Sequence, residues 1–301
     1  MTHAYDPELA AAAARLGSPV MADIPAARRA AARGVRAADL TGVTVTDEDA
    51  SGVRLRLYQP DVVRAPAAVF TVHGGGFVLG TVERGDARNA ELARALGMLV
   101  VSVDYRLAPE HPYPAALDDC LTGLSWLAGT ATRLGIDPRR IAISGTGGGL
   151  CAALALLARD RGGPAIAFQY LGVPKVDDRL GSASMTAFTD TAALNRADVE
   201  AGWRAYLGGS YGGDVPCYAA PARATDLSGL PPAYVSAMQF DPLRDEGIAY
   251  ALALQAAGVP VELHLFPGTF HGSSTVRDAL VSRREIDEKV AVLRKALESI
   301  F

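Results

Sequence analysis

His73-Gly-Gly-Gly76, Gly145-Thr-Gly-Gly-Gly149, Asp241 and His271 are the residues of this chain whose types and spacing suit chemistry. Histidine takes and returns a proton near pH 7, and a carboxylate beside it fixes its tautomer and stabilises the imidazolium. Asp241 opens Asp241-Pro-Leu-Arg-Asp-Glu-Gly247 and His271 sits in Phe270-His-Gly272, each just after an apolar run that reads as a strand. Asp245 already falls on the following helix, so Asp241 is the expected orienter. His3 in a frayed terminus, His73 in the glycine loop, His111 between prolines and His264 within a strand lack the placement of His271. The run His73-Gly-Gly-Gly76 exposes backbone N–H groups that suit a tetrahedral oxyanion; a plain tight turn or a phosphate nest is the alternative. A P-loop would end in lysine and Ser/Thr, and a dinucleotide fingerprint would open a helix, whereas Phe77-Val-Leu does neither.

Residues Ile141 to Leu150 read as a strand ending at Ser144, a sharp glycine turn and a helix running to about Asp160. That is the setting of a nucleophile elbow, Gly-x-Ser-x-Gly, in which a serine occupies a strained turn flanked by small residues. Here the frame is Gly145-Thr146-Gly147-Gly148-Gly149, with Gly147 in the serine's place. Glycine has no atom to acylate. Ser144 lies before the turn, Thr146 carries a crowding methyl, and Cys151 falls on the inward face of the helix, so none is a ready substitute.

These positions need a scaffold. The 301 residues are half hydrophobic, enough for a sizeable core. Strands are expected at Val53–Tyr58, Ala67–Val72, Leu99–Val103, Ile141–Ser144, Ala165–Leu171, Pro232–Met238 and Val261–Phe266. Helices are expected over Arg88–Leu96, with Gly97 as the stop, Ala115–Leu127, Asp198–Leu207, Glu246–Ala257 and from Glu285 onward. The alternation implies a single domain with a mostly parallel sheet covered on both faces, its functional residues on loops at the carboxyl ends of strands. One or two short alanine-rich helices between Asp6 and Arg33, a stretch divided by Pro19 and Pro25, lie outside that rhythm, as does most of Gly172–Leu230. Segments 1–45 and part of 172–230 are therefore the expected cap.

A net charge of −4 and a pI near 5.8 give no general attraction to nucleic acid or anionic membrane. No apolar run reaches the length of a membrane span. Cys120, Cys151 and Cys217 show no metal spacing and cannot all pair internally, and with no leader at Met1 a reducing cytoplasm is the default expectation. An edge strand or terminal helix leaves a homodimer open.

Taken together, His73-Gly-Gly-Gly-Phe77, Asp104-Tyr-Arg-Leu-Ala-Pro-Glu110, the elbow region, Asp241-Pro-Leu-Arg-Asp245 and Phe270-His-Gly272 resemble the hormone-sensitive-lipase-like bacterial esterases of the α/β-hydrolase superfamily. The stretch 221–234 is more narrowly similar to acetyl-ester hydrolases of soil bacteria that act on acylated alkaloids. The resemblance implies an α/β-hydrolase fold, an eight-stranded, mostly parallel sheet flanked by helices with a helical cap, and cofactor-free, metal-free hydrolysis of a small-molecule ester. It assigns the acid to Asp241, the base to His271 and the oxyanion donors to the backbones of Gly75 and Gly76. It also gives Tyr105 and Glu110 supporting roles near the active-site floor.

The departure lies at Gly145, Thr146, Gly147 and Gly148, where the family reads Gly-x-Ser-Ala-Gly-Gly. An ungapped alignment puts Gly147 in the nucleophile's place and Leu150 where a glycine belongs. A gapped one leaves the turn two residues short, so that inserting Ser-Ala after Thr146 should restore more activity than Gly147→Ser. Two functions follow from this pattern. One is a carboxylesterase for short-acyl esters whose serine is missing, and the other a pseudo-esterase binding a small apolar ligand in the same pocket.

Overall fold

The computed structural model describes residues 3–16, 21, 23–33 and 37–298. Its centre is an eight-stranded sheet: β1 Val43–Ala50, β2 Val53–Pro60, β3 Ala68–Val72, β4 Leu99–Val103, β5 Ile141–Thr146, β6 Phe168–Gly172, β7 Ala233–Phe240 and β8 Val261–Phe270. The spatial order is β1-β2-β4-β3-β5-β6-β7-β8. The β1–β2 and β2–β4 pairs are antiparallel and every later pair is parallel. This is the α/β-hydrolase fold, with flanking helices and a helical cap region.

The central strands are buried on both faces, as their continuous apolar runs require. Phe70, Ile143, Leu171 and Val235 point to one side, against α4 (Ala115–Thr130), α5 (Gly149–Asp160) and α8 (Arg244–Ala256). Val69, Ala142, Tyr170 and Tyr234 point to the other, where α3 (Val82–Leu96) and α9 (Leu280–Glu298) supply Leu92, Leu96 and Leu293. Gly97 ends α3 with φ +65°, giving its N–H to the Ala93 carbonyl, a left-handed cap that glycine adopts without Cβ strain.

Element bounds depart from the sequence expectation where local pattern is weak. β1 begins inside the stretch assigned to the cap; it is an edge strand of mostly exposed polar residues, held by its register with β2. β5 continues past Ser144 to Thr146 because Gly145 and Thr146 still pair with Leu171 and Gly172. β8 runs on through Pro267 and Gly268 to Phe270 beside β7. Helix α3 starts at Val82 and α9 at Leu280, both ahead of the expected positions.

Outside the sheet lie α1 (Pro7–Leu16), α2 (Ile24–Arg33), α6 (Ala183–Ala187) and α7 (Arg196–Leu207). The Pro19 break falls outside the described residues. His3 is not frayed: its ring lies 5.4 Å from Phe240 and 5.7 Å from Phe188, and Nε2 is 3.0 Å from Asp190. Helix α2 buries none of its residues. What fixes it is Arg28, whose guanidinium donates to the carbonyls of Val78 and Ala108 and, at 2.7 and 2.8 Å, to both oxygens of Glu110.

Candidate active site

The parallel strands end together, so the loops after β3, β5, β7 and β8 open on one edge of the sheet. Asp241 follows β7 and is fully buried. One of its oxygens accepts the Leu243 N–H at 2.9 Å, and the other lies 2.8 Å from His271 Nδ1. The local chain explains this placement. Pro242 cannot extend the strand, the Leu243 N–H turns back onto the carboxylate, and α8 begins at Arg244. Asp245 is on that helix, where it accepts from Ser184 N–H and Arg244 rather than from a histidine. Burial lowers the His271 pKa, but the Asp241 charge and hydrogen bond outweigh it, leaving the imidazole more basic than usual.

The glycine loop after β3 is built by close approach. A Cβ on Gly74 would lie 2.6 Å from the Thr146 carbonyl oxygen, and one on Gly75 2.0 Å from that of Leu79. Gly75 (φ +139°) and Gly76 (φ +61°) leave their N–H groups without a backbone or side-chain acceptor among the described residues. The Gly75 carbonyl closes the loop by accepting from Val78 and Leu79. His73 stacks on Tyr105 with centroids 4.2 Å apart, and the Tyr105 hydroxyl donates to the His73 carbonyl at 2.8 Å, so Tyr105 supports the loop's root. Glu110 pairs with Arg28 of α2. Its side chain is more than half exposed and turned outward by Arg28, which holds its carboxyl down at about 2.

Thr146 ends β5 with its side chain exposed, and the turn is Gly147-Gly148. Gly147 has φ +77°, and a Cβ there would meet only the Gly74 Cα, at 4.0 Å. The N–H groups of Gly147 and Gly148 both go to the Gly172 carbonyl, at 2.8 and 3.1 Å, so neither elbow amide is a free donor. A Cβ on Gly149 would lie 1.9 Å from the Lys175 carbonyl oxygen, which makes glycine obligatory at the start of α5. Ser144 is buried within β5, its hydroxyl without a hydrogen-bond partner among the described residues. Cys151 is buried too, and burial pushes its thiol up to about 12, far from a thiolate nucleophile.

Three residues here had no motif to announce them. Met21 is buried against the glycine loop, its thioether lying where a Cβ on Gly76 would come within 3.3 Å of Cε, and its N–H donates to Asp198 on α7. Arg28 is one of several arginines in an alanine-rich helix, indistinguishable by pattern from its neighbours. Lys175 is buried behind the loop; in the sequence it opens the charged run Lys175-Val-Asp-Asp-Arg179 and nothing marks it off from the charges that follow. Among the described residues no group of His, Cys, Asp and Glu is placed to hold a metal, and no helix is long and apolar enough to cross a membrane.

The sheet order, the buried carboxylate on a histidine and the glycine loop define a hydrolase-type site. The family model of the alpha/beta hydrolase fold matches residues 69–275, and the chain belongs to that family, as a carboxylesterase-type member. Carboxylesterase NlhH of Mycobacterium tuberculosis is 41% identical over 264 residues, covering 85% of this chain and 82% of that protein. An arylesterase of Saccharolobus solfataricus is 38% identical over 250 residues, 82% of this chain and 79% of its own. Among solved structures, a bacterial heroin esterase is 46% identical and superposes with a TM-score of 0.95 over 98% of this chain and 99% of that one.

Proposed function

We propose that the site binds short-acyl carboxylic esters, with His271 as its proton-transfer group, Asp241 as the orienter of that histidine, and the N–H groups of Gly75 and Gly76 as oxyanion donors. The observation that carries this reading is the 2.8 Å contact between His271 Nδ1 and the fully buried Asp241. A carboxylate aimed at one ring nitrogen leaves the other to exchange protons with a reacting group. Gly147 is the counterpart of the family's serine. Its left-handed φ at a strand–helix turn and the obligatory glycine two residues later are the features an elbow needs. Both favour the ungapped alignment.

With glycine at 147, no acyl-enzyme forms there. The chain as it stands binds esters and assists attack by water slowly, through His271 and the loop donors. The likeness to a heroin esterase supports acetyl esters of a bulky alcohol as the substrate class, heroin being an acetylated alkaloid. The pseudo-esterase reading rests on the glycine itself, since a pocket that only binds needs no nucleophile. The kinetics of Gly147→Ser on p-nitrophenyl acetate, with and without His271→Ala, decide between the two. A serine-type burst that His271→Ala abolishes supports the esterase reading, and a folded, inert Gly147→Ser form supports the binder.

A further inference from the structure

We propose that Lys175 is a positioning residue: its ammonium pins the glycine loop, through Phe77, against cap helix α7. Lys175 follows β6 and is 4% exposed, yet its Nζ hydrogen bond goes to a neutral group, the Val199 carbonyl of α7, at 3.0 Å. The same ammonium lies 4.7 Å from the Phe77 ring centroid and 4.9 Å from that of Trp203. A Cβ built on Gly202 of α7 would be 2.6 Å from Nζ and 2.7 Å from the Gly76 carbonyl oxygen, so loop and ammonium flank one point on the helix. The lysine's own carbonyl abuts Gly149 at the start of α5. One residue thus touches the elbow helix, the glycine loop and the cap.

The loop needs such a hold. Phe77 has φ +74°, a left-handed conformation that strains a residue with a Cβ and persists only where the surroundings impose it. Stacking on Tyr206, with centroids 4.0 Å and planes 13° apart, secures one side of its ring, and the cation secures it electrostatically. Gly76, immediately before it, carries one of the two unengaged N–H groups. A shift of Phe77 therefore moves an oxyanion donor, and displacements near 1 Å at such positions cost about 100-fold in rate. Burying an amine is unfavourable, and desolvation draws this one down to about 7, against the weaker pull of Glu246 and Asp198, so the charged form that holds Phe77 prevails below that pH and the exchange comparison belongs at pH 6. A methionine of similar length would be the more stable choice if packing were the lysine's whole role.

The positioning rests on the proposed ester site only for its kinetic arm. Amide hydrogen exchange of the 73–80 segment is to be compared in the wild-type chain and in Lys175→Met, with thermal stability measured alongside. The expected result is exchange about 10-fold or more faster in that segment, unchanged exchange in α8, and a melting temperature equal to or above that of the wild type. In the Gly147→Ser background, Lys175→Met should lower kcat on p-nitrophenyl acetate by about 10-fold with KM within about 2-fold. If Lys175→Met does not fold, Lys175→Leu takes its place, because it also removes the Nζ contacts with Val199 and Phe77 and adds no atom against the loop. Exchange at wild-type rates in a folded variant overturns the proposal, as does an unchanged kcat. If Gly147→Ser is inert while the 73–80 segment still loosens, the ester-site reading fails and the positioning role stands.

Discussion

Adding one hydroxymethyl group at position 147 tests most of this reading. Gly147 already has φ +77°, so a serine there takes a left-handed backbone at a cost of about 1–2 kcal/mol. No steric penalty adds to this, because the nearest atom to the new Cβ is the Gly74 Cα at 4.0 Å, an ordinary contact. A loss of that size lowers the melting temperature of a chain this long by a few degrees. Against it stands the rate gained when a covalent nucleophile joins an existing acid–base pair and oxyanion loop. Loss of the triad residues from a serine hydrolase leaves only about 10³ to 10⁴-fold catalysis over water, so restoring the nucleophile should raise kcat by roughly 10³-fold or more. Stopped-flow release of p-nitrophenol should show a burst of one equivalent per chain, and intact mass should show one organophosphonate adduct that the wild type lacks. Inserting Ser-Ala after Thr146 should do less, the reverse of what the gapped alignment implies. The insertion slides α5 by two residues, about 200° of helix, and the helix is buried from Gly149 to Ala158. A folded Gly147→Ser form with neither burst nor label, or an insertion form that outperforms it, refutes the reasoning about the turn.

Further outcomes follow from the same geometry, the kinetic ones read in the Gly147→Ser background. Gly76→Ala forces a Cβ onto φ +61° within 3.3 Å of Met21 Cε, and kcat should fall about 100-fold or more; an unchanged kcat in a folded variant removes Gly76 from the donor set. Asp241→Asn should lower kcat by about 10⁴-fold by presenting the wrong partner to His271 Nδ1, and an effect under about 10-fold denies that pairing a catalytic role. The rate should rise with pH through a value above 6.5, since the neutral imidazole is the base and Asp241 raises its pKa; a midpoint below 6.5 contradicts that balance. Arg28→Ala removes every hydrogen bond described for the arginine that fixes α2 and should speed amide exchange across residues 23–33, while equal exchange rates leave the clasp without effect. Between pH 7 and 10.5 the unfolded chain binds the Lys175 proton more tightly than the folded one, so this residue makes stability rise with pH across that window; chemical denaturation of Lys175→Met should show a flatter rise.

How much of this was legible in the sequence depends on what fixed each feature. The inner strands and Gly97 were readable because burial on both faces demands apolar runs and a left-handed cap demands glycine. Asp241 and His271 were readable as positions, since a polar residue that ends an apolar strand at the sheet's carboxyl edge has few other reasons to be there. Strand β1 was not, because an edge strand of exposed polar residues acquires its order from β2 and not from its own pattern. The partner of Glu110 was not legible for a related reason. The glutamate's motif is local, but its direction is set by Arg28, 82 residues earlier in the chain.

The elbow marks the limit of such reading most sharply. Gly145-Thr-Gly-Gly-Gly-Leu150 admits two alignments, because glycines are interchangeable as letters. They are not interchangeable in space. Gly149 faces the Lys175 carbonyl at a distance no Cβ tolerates, and a Cβ on Gly148 would come within 3.0 Å of the Leu171 Cα, whereas Gly147 faces open room with a serine-compatible turn. Two of these glycines are therefore held by close packing, and the third is the position where a side chain would project into the site without moving its neighbours. Lys175 takes part in that packing, its carbonyl fixing Gly149, while its ammonium lies over the Phe77 ring of the glycine loop. On the proposed reading, what a glycine at 147 leaves in place is the loop whose N–H groups would hold an oxyanion. For that reason loop order, measured in the wild-type chain, reports on the site even where no turnover does.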